Sequence, residues 1–270
     1  MDYVWANPNE TQDELLKNSM LAFLRSWKAE GMETMDEFDL FPRTPGRALS
    51  MLQEYIERYQ SQLQNQELIS IESPFIVPLD LDDETICYVG KLDKVYRDRY
   101  GIWICDHKTA SSMTNTWINS FSPSGQMDGY LHAGHMTYGD EFHGVLIDGA
   151  LVSKIKIDFQ RIPIQRQESQ LNAWLWEVSD LIDLIELNEE RLVEYRESPK
   201  RIDYLPSFPK CTTSCTQYFG TCPYIDLCKF WDNPDHHECP DHMVIRKWEP
   251  FTILEDHTGA FKVIENERGE

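Results

Sequence analysis

Between Gly90 and Thr109 the sequence alternates in a way that suits two consecutive strands. Gly90-Lys91-Leu92-Asp93 opens the first, a tight turn falls near Arg97-Asp98-Arg99-Tyr100-Gly101, and Ile102-Trp103-Ile104-Cys105-Asp106-His107-Lys108-Thr109 forms the second. Side chains two apart on a strand share a face. Asp106 and Lys108 are therefore neighbours, and Ile102 and Ile104 continue their face towards the interior. An acid and a lysine closing an apolar strand face are costly to bury without partners. Two readings stay open: the pair neutralises itself, or a metal ion occupies the space beside Asp93.

The surrounding pattern fixes the fold class. Leu68 to Val77, Ile86 to Tyr96 and Gly101 to Lys108 read as three strands of an antiparallel meander. Thr11-Gln12-Asp13-Glu14 is a capping box, followed at helical spacing by Leu16, Met20, Phe23, Leu24 and Trp27, with Gly31 beyond the end. Thr44-Pro45 sets an N-cap and an N1 proline before the apolar face Ala48, Leu52, Tyr55, Ile56, Tyr59 and Leu63. After the meander, the Ser-, Thr-, Asn- and Pro-bearing stretch from Ala110 to Gly125 predicts a loop. A helix is expected over 126–137, strands within 142–164, and a long helix over 168–196 that Pro199 stops. Leu171, Trp174, Leu175, Val178, Leu181, Ile182 and Ile185 form the apolar face of that helix. A closing hairpin is expected around Asp256-His257-Thr258-Gly259. The fold class is α/β: a mixed central sheet with an antiparallel meander, flanked by helices, plus a cysteine-rich C-terminal cap. The expected divisions are a helical segment over 1–66, a core over 67–205, a cysteine-rich segment over 206–240, and a hairpin and tail over 241–270.

The net charge of −21 argues against a bulk surface that binds polyphosphate. A local basic groove or a bound cation can still invert the sign. Lys154, Lys156, Arg161 and Arg166 form one basic stretch, suited either to tracking phosphates or to keeping a strand edge soluble. No apolar run reaches membrane-spanning length, and Met1-Asp2-Tyr3-Val4-Trp5 lacks a signal-peptide layout, so a soluble cytoplasmic protein without a membrane partner is expected.

Carboxylates on adjacent strands suit hard divalent cations such as Mg²⁺ or Mn²⁺, which take oxygen ligands. Such an ion lowers the pKa of bound water and stabilises charge on a phosphoryl oxygen, and a nearby lysine can orient the attacking water. Asp93, Asp106 and Lys108 are sufficient chemistry for phosphodiester hydrolysis. The backbone carbonyl of His107 is a further candidate ligand, as is Glu72 on the preceding strand. Gln126 and Tyr130 lie one turn apart on one face of the following helix.

Of seven cysteines, Cys87 and Cys105 lie inside strands as small core residues, while Cys211, Cys215, Cys222, Cys228 and Cys239 crowd together. Cys211-x3-Cys215-x6-Cys222-x5-Cys228 supplies four soft ligands. Only the first gap fits a structural zinc site, and the irregular spread with Cys222-Pro223 is closer to an iron–sulfur cluster held by a loop. Zinc stays open, with His236, His237 and Cys239 to hand.

Taken in order, Glu72 to Phe75, Gly90 to Asp93, Asp106 to Thr109 and Gln126 to Tyr130 resemble the motif series of the PD-(D/E)XK nuclease superfamily, specifically its RecB-like exonuclease branch. The branch includes phage recombination and CRISPR adaptation nucleases, and the resemblance covers roughly residues 68 to 230. It implies a restriction-endonuclease-like core, with Asp93 and Asp106 as metal ligands and Lys108 as the catalytic lysine. Gln126 and Tyr130 would line the DNA path or brace the metal. Cys215, Cys222 and Cys228 look like the family's C-terminal triplet, which clamps a 4Fe–4S cluster with an N-terminal cysteine; Cys211 stands in for that fourth ligand. The family's N-terminal histidine ligand has no counterpart before His107. The expectation is therefore that a preceding segment carries it or that Glu72 and waters replace it. The implied function is metal-dependent DNA hydrolysis, exonucleolytic, in recombination, repair or adaptation, with a helicase or recombination protein as partner. The alternatives are an endonuclease on the same core and a non-catalytic iron–sulfur or zinc scaffold that binds DNA.

Overall fold

The computed structural model describes residues 1–36, 40–79, 86–197, 202–216 and 220–247. Three helices come first: α1 (Asp2–Ala6), α2 (Gln12–Ala29) and α3 (Pro45–Leu63). The Thr11 capping box and the Thr44 N-cap start α2 and α3 where the sequence places them. The sheet follows as β1 (Glu67–Pro78), β2 (Cys87–Asp98) and β3 (Gly101–Ala110), then β4 (Phe142–Val152) and β5 (Ile157–Ile164), in the spatial order β1-β2-β3-β4-β5. The first three strands are the expected antiparallel meander; β4 runs parallel to β3, and β5 antiparallel to β4. A parallel neighbour requires a crossover, supplied here by α4 (Asn115–Asn119) and α5 (Gly125–Tyr138). The fold is thus a mixed α/β sheet flanked by helices.

Period-two alternation sorts the core into two layers. On one face Ile102, Ile104, Val145, Ile147 and Ile164 pack with Met127, Tyr130, Leu131 and Ala133 of α5. On the other, Tyr96, Trp103, Cys105, Leu146, Ala150 and Phe159 pack with Val4, Trp5, Leu15, Leu52, Tyr55, Ile56 and Leu63 of α1 to α3. Each fully buried aliphatic or aromatic side chain contributes about 1.5–3 kcal/mol. Among the helices that were not expected are α1, which carries fully buried Val4, and α4, inside the expected loop, where the Thr114 hydroxyl accepts the Trp117 N–H at 3.3 Å.

The chain divides after Leu171 into a second compact unit, Asn172–Glu249. The long helix α6 (Glu168–Glu197) runs into it, and a short α7 (Ile225–Phe230) follows. Within this unit, polar contacts hold the residues that follow α6 against that helix. Asn188 accepts the Phe208 N–H at 2.8 Å, Tyr195 accepts from Asn233 at 2.7 Å, and Arg196 pairs with both oxygens of Asp235 at 2.8 Å. The apolar stripe expected on α6 is not closed over: Leu181 and Ile185 are exposed, as are Trp176 and Leu184. The stop at Pro199 and the hairpin around Asp256 to Gly259 lie outside the described residues. Among the described residues, no helix is long and apolar enough to cross a membrane.

Behind β3 lies a buried polar layer. Asp148, 2% exposed, accepts from the Tyr55 hydroxyl and from Arg161 Nε at 3.2 Å. Trp5 Nε1 donates to the Tyr55 hydroxyl at 2.8 Å, and the Arg161 guanidinium stacks 3.9 Å over the Tyr59 ring. His107 enters this layer, its Nδ1 3.6 Å from Asp148 and its ring edge-on to Trp5. Lys94, fully buried, reaches Asp2 at 2.8 Å. The partners matter because an uncompensated buried charge costs several kcal/mol.

Burial, aided by the Lys94 charge, lowers the His107 imidazole to about 4. The unfolded chain takes up this proton near pH 6.5, whereas the native state resists it until about pH 4. Native stability is therefore lost as the pH falls through that window, because the unfolded state binds more protons there. Between pH 7.5 and 4.5 the loss from this group is about 2–3 kcal/mol. Urea melts at both pH values should show the gap between wild type and His107→Gln narrowing by that amount at the lower pH. Parallel pH dependences would show that His107 titrates normally.

Candidate active site

The site arises where the sheet forks. The β2–β3 ladder stops at Lys94 opposite Cys105, whereas β1–β2 pairing runs on to Pro78 opposite Cys87 and β3–β4 pairing to Ala110 opposite Leu151. The His107 N–H, on the prong beyond the last rung, donates to Asp93 Oδ2 at 2.8 Å. Asp93 thus replaces a backbone acceptor and is fixed at the mouth of the fork. Asp106 stands on the other prong, 2% exposed, continuing the face of Ile102 and Ile104 as the alternation required.

Lys108 Nζ lies 2.7 Å from Asp106 Oδ2, an ion pair that approaches off the hydrogen-bonding direction. Burial pushes the Asp106 carboxyl up; Lys108 opposes this, and the Asp93 charge adds to it. Lys108 pairs with Asp106, while Asp93 is held by a backbone N–H, so the fork brings two acidic groups together with one direct ion pair between them and the lysine. Its donors are oxygens, the ligand type that hard divalent cations take. The residues present therefore fit a magnesium- or manganese-class ion.

The helix residues converge on the same place. Gln126 Nε2 donates to the Tyr130 hydroxyl at 3.0 Å, and that hydroxyl donates to the Lys91 carbonyl at 3.2 Å, two residues before Asp93. Burial and the Asp106 charge push the Tyr130 phenol up to about 12, so it stays a neutral donor. Gly149 pairs with Lys108 across the β3–β4 ladder; a Cβ there would come within 2.6 Å of the Trp117 ring, so its absence lets Trp117 cover the sheet beside the lysine.

Other expected residues are placed differently. Register puts Glu72 across from Asp93, between the Ile71–Lys94 and Ser73–Leu92 pairs, in a left-handed conformation with φ 51°. Its carboxylate is held by Lys91 in an ion pair. The His107 side chain points away from the fork into the polar layer, and only its backbone serves the site. Among the described residues, one trio of His, Cys or acidic ligand atoms lies within 4.8 Å: Cys105, His107 and Asp148. Asp148 is already tied to Tyr55 and Arg161, Arg161 and Lys94 add positive charge, and burial holds the Cys105 thiol well up. Of that trio, Asp148 is the member already engaged, and His107 Nε2 is buried without a hydrogen-bond partner. The basic stretch is also partly consumed: Arg161 serves Asp148, and Arg166 pairs with Asp128 at 2.8 Å.

In the second unit the Cys222 N–H donates to the Cys215 carbonyl at 2.9 Å, Cys228 sits on α7, and Lys210 caps the Cys228 carbonyl at 2.7 Å. The Thr213 hydroxyl, 3.3 Å from Cys211 Sγ, lowers that thiol and favours the thiolate. Among the described residues, no three of these sulfurs come within 4.8 Å of one another.

Asp148 was not singled out from the sequence, nor was the network that joins it to Tyr55, Arg161 and Trp5; the sequence placed Tyr55 on a helix face and Arg161 in a basic stretch. The signal for Asp148 was present: one acid inside Val145-Leu146-Ile147-Asp148-Gly149-Ala150-Leu151, the same anomaly that marked Asp106.

No curated protein matches the sequence. Among solved structures, the crystal structure of SSO0001 is 14% identical over 58% of this chain and 69% of that one, with a TM-score of 0.28, too loose an overlap to argue from. The profile of the PD-(D/E)XK nuclease superfamily matches residues 5–229, which include both prongs of the fork, Lys108 and the helix that carries Gln126 and Tyr130. The chain belongs to the PD-(D/E)XK nuclease superfamily, whose members are nucleases that use divalent metals.

Proposed function

We propose that the chain is a Mg²⁺- or Mn²⁺-dependent deoxyribonuclease of the RecB-like branch, acting exonucleolytically in recombination, repair or CRISPR-type adaptation in the cytoplasm. The observation that carries this reading is the fork: Asp93 fixed by the His107 amide, facing a buried Asp106 paired with Lys108. Asp93 and Asp106 would hold the metal, with the His107 carbonyl and Glu72 as further oxygen donors. When bound, such an ion lowers the pKa of a water and offsets charge on a phosphoryl oxygen. Lys108, paired with Asp106, would orient the attacking water or neutralise developing negative charge. Gln126 and Tyr130 present neutral hydrogen-bonding groups along the DNA path, which suits a polyanionic substrate better than further acids would.

A Mn²⁺-dependent assay on linear single- and double-stranded DNA tests this. Asp106→Ala and Lys108→Ala should each lower the rate by about 10²–10⁴, with native circular dichroism spectra. Equal rates in all three proteins would overturn the assignment. An inactive wild type would favour the scaffold reading, which has its own support: Lys108 already neutralises Asp106, and Lys91 holds Glu72. Cutting of closed circular DNA would reassign the enzyme as an endonuclease.

We further infer that Cys211, Cys215, Cys222 and Cys228 bind a 4Fe–4S cluster that ties their loop together as a structural clamp. The density of thiols and the lowered Cys211 thiol support this. Anaerobic purification should give a brown protein, and Cys222→Ser should bleach it and lower its melting temperature. A colourless protein carrying zinc would overturn the cluster.

A further inference from the structure

A cavity of about 540 Å³ opens at the ends of β3 and β4, lined by Ser111, Ser112, Met113, Ser153, Lys156 and Gln160. The two strands run parallel, so this is their shared carboxyl end, the usual place for ligands on such a pair. Ser111 lies three residues past Lys108, about 10 Å along an extended chain. The cavity therefore lies at the strand end towards which Lys108 leads.

Above it stands the β4–β5 hairpin tip, Ser153-Lys154-Ile155-Lys156, which hydrogen bonds tie together. The Ser153 N–H donates to the Lys156 carbonyl at 3.1 Å. The Ser153 hydroxyl accepts the amides of Ile155 at 3.3 Å and Lys156 at 3.0 Å, and Arg47 donates to the Ser153 carbonyl at 2.8 Å. On this braced turn Ile155 is 93% exposed. Turns are normally made from Gly, Asn, Asp or Ser, so the turn itself does not require an isoleucine. Two lysines flank it in a chain whose net charge is −21.

We propose that this tip and cavity form a second DNA contact, in which Lys154 and Lys156 take backbone phosphates and Ile155 lies against a base of the strand running to Lys108. Lysines neutralise backbone phosphates whatever the sequence, and in duplex complexes apolar side chains such as Ile wedge against base steps. Asp158 also lines the cavity, but Arg58 lies 2.9 Å from it. Its charge stays compensated when Lys156, now 3.2 Å away in an exposed pair, swings to a phosphate. The proposal rests on the nuclease reading and extends it to the path of the strand.

Binding is measured by fluorescence anisotropy with labelled single-stranded oligonucleotides, in an Asp106→Asn background so that nothing is cleaved. Adding Ile155→Asp should weaken binding about tenfold. Adding Lys154→Ala with Lys156→Ala should reduce the slope of log affinity against log salt by about 1.4, or about 0.7 per phosphate lost. With Asp106 intact, Ile155→Asp should raise KM and leave kcat unchanged. Parental binding that the hairpin substitutions do not alter would overturn this contact and leave the nuclease reading standing. Absence of DNA binding by the parent would overturn both. Loss of self-association in Ile155→Asp, with DNA binding unchanged, would assign the tip to a second copy of the chain and also overturn the proposal.

Discussion

The hydrogen bond from the His107 amide to Asp93 is the contact on which the rest of the site depends. A sheet that simply continued its β2–β3 ladder would use that amide for a backbone carbonyl and leave no gap for a substrate. Ending the ladder opens the gap and exposes an unsatisfied donor, which is costly if left unpaired. Asp93 meets that need with a carboxylate, so one contact both closes the unsatisfied valence and sets the position of a charged group.

The two faces of β3 divide the labour. Asp106 and Lys108 belong to the face covered by α5, where Tyr130 ties the helix to the Lys91 carbonyl. His107 belongs to the face covered by α1 to α3, where Asp148, Tyr55, Arg161 and Trp5 form a continuous polar network. Arg161 lies against Asp148 and Lys94 against Asp2, so helices distant in sequence brace β3 from the face opposite Asp106 and Lys108.

Much of this was legible in the sequence where the signal is local. The Thr11 capping box and the Thr44-Pro45 start are stereochemical instructions carried by four residues or fewer. The alternation from Ile102 to Lys108 gave the strand, its inner face and the pairing of acid with lysine. The five-residue helices α1 and α4 were not legible, since so short a segment cannot display a 3.6-residue period. Nor could the polar layer be assembled, because it joins α3, β4 and β5 through contacts that only the tertiary fold brings together. The stripe on α6 shows the opposite case: its period was plain, yet periodicity does not say what a face is covered by, and Leu181 and Ile185 are open.

The alternation along β3 has a consequence for how such a sequence can drift. Residues 106, 107 and 108 point to opposite sides in turn, and each side is chemically committed. A single insertion or deletion between Ile102 and Lys108 would exchange the two sets, driving the acid and lysine in among α1 to α3 and turning the imidazole out to the fork. A substitution alters one side chain, whereas a change of length moves every side chain beyond it to the other face. In this strand the parity of a position matters as much as the residue that fills it.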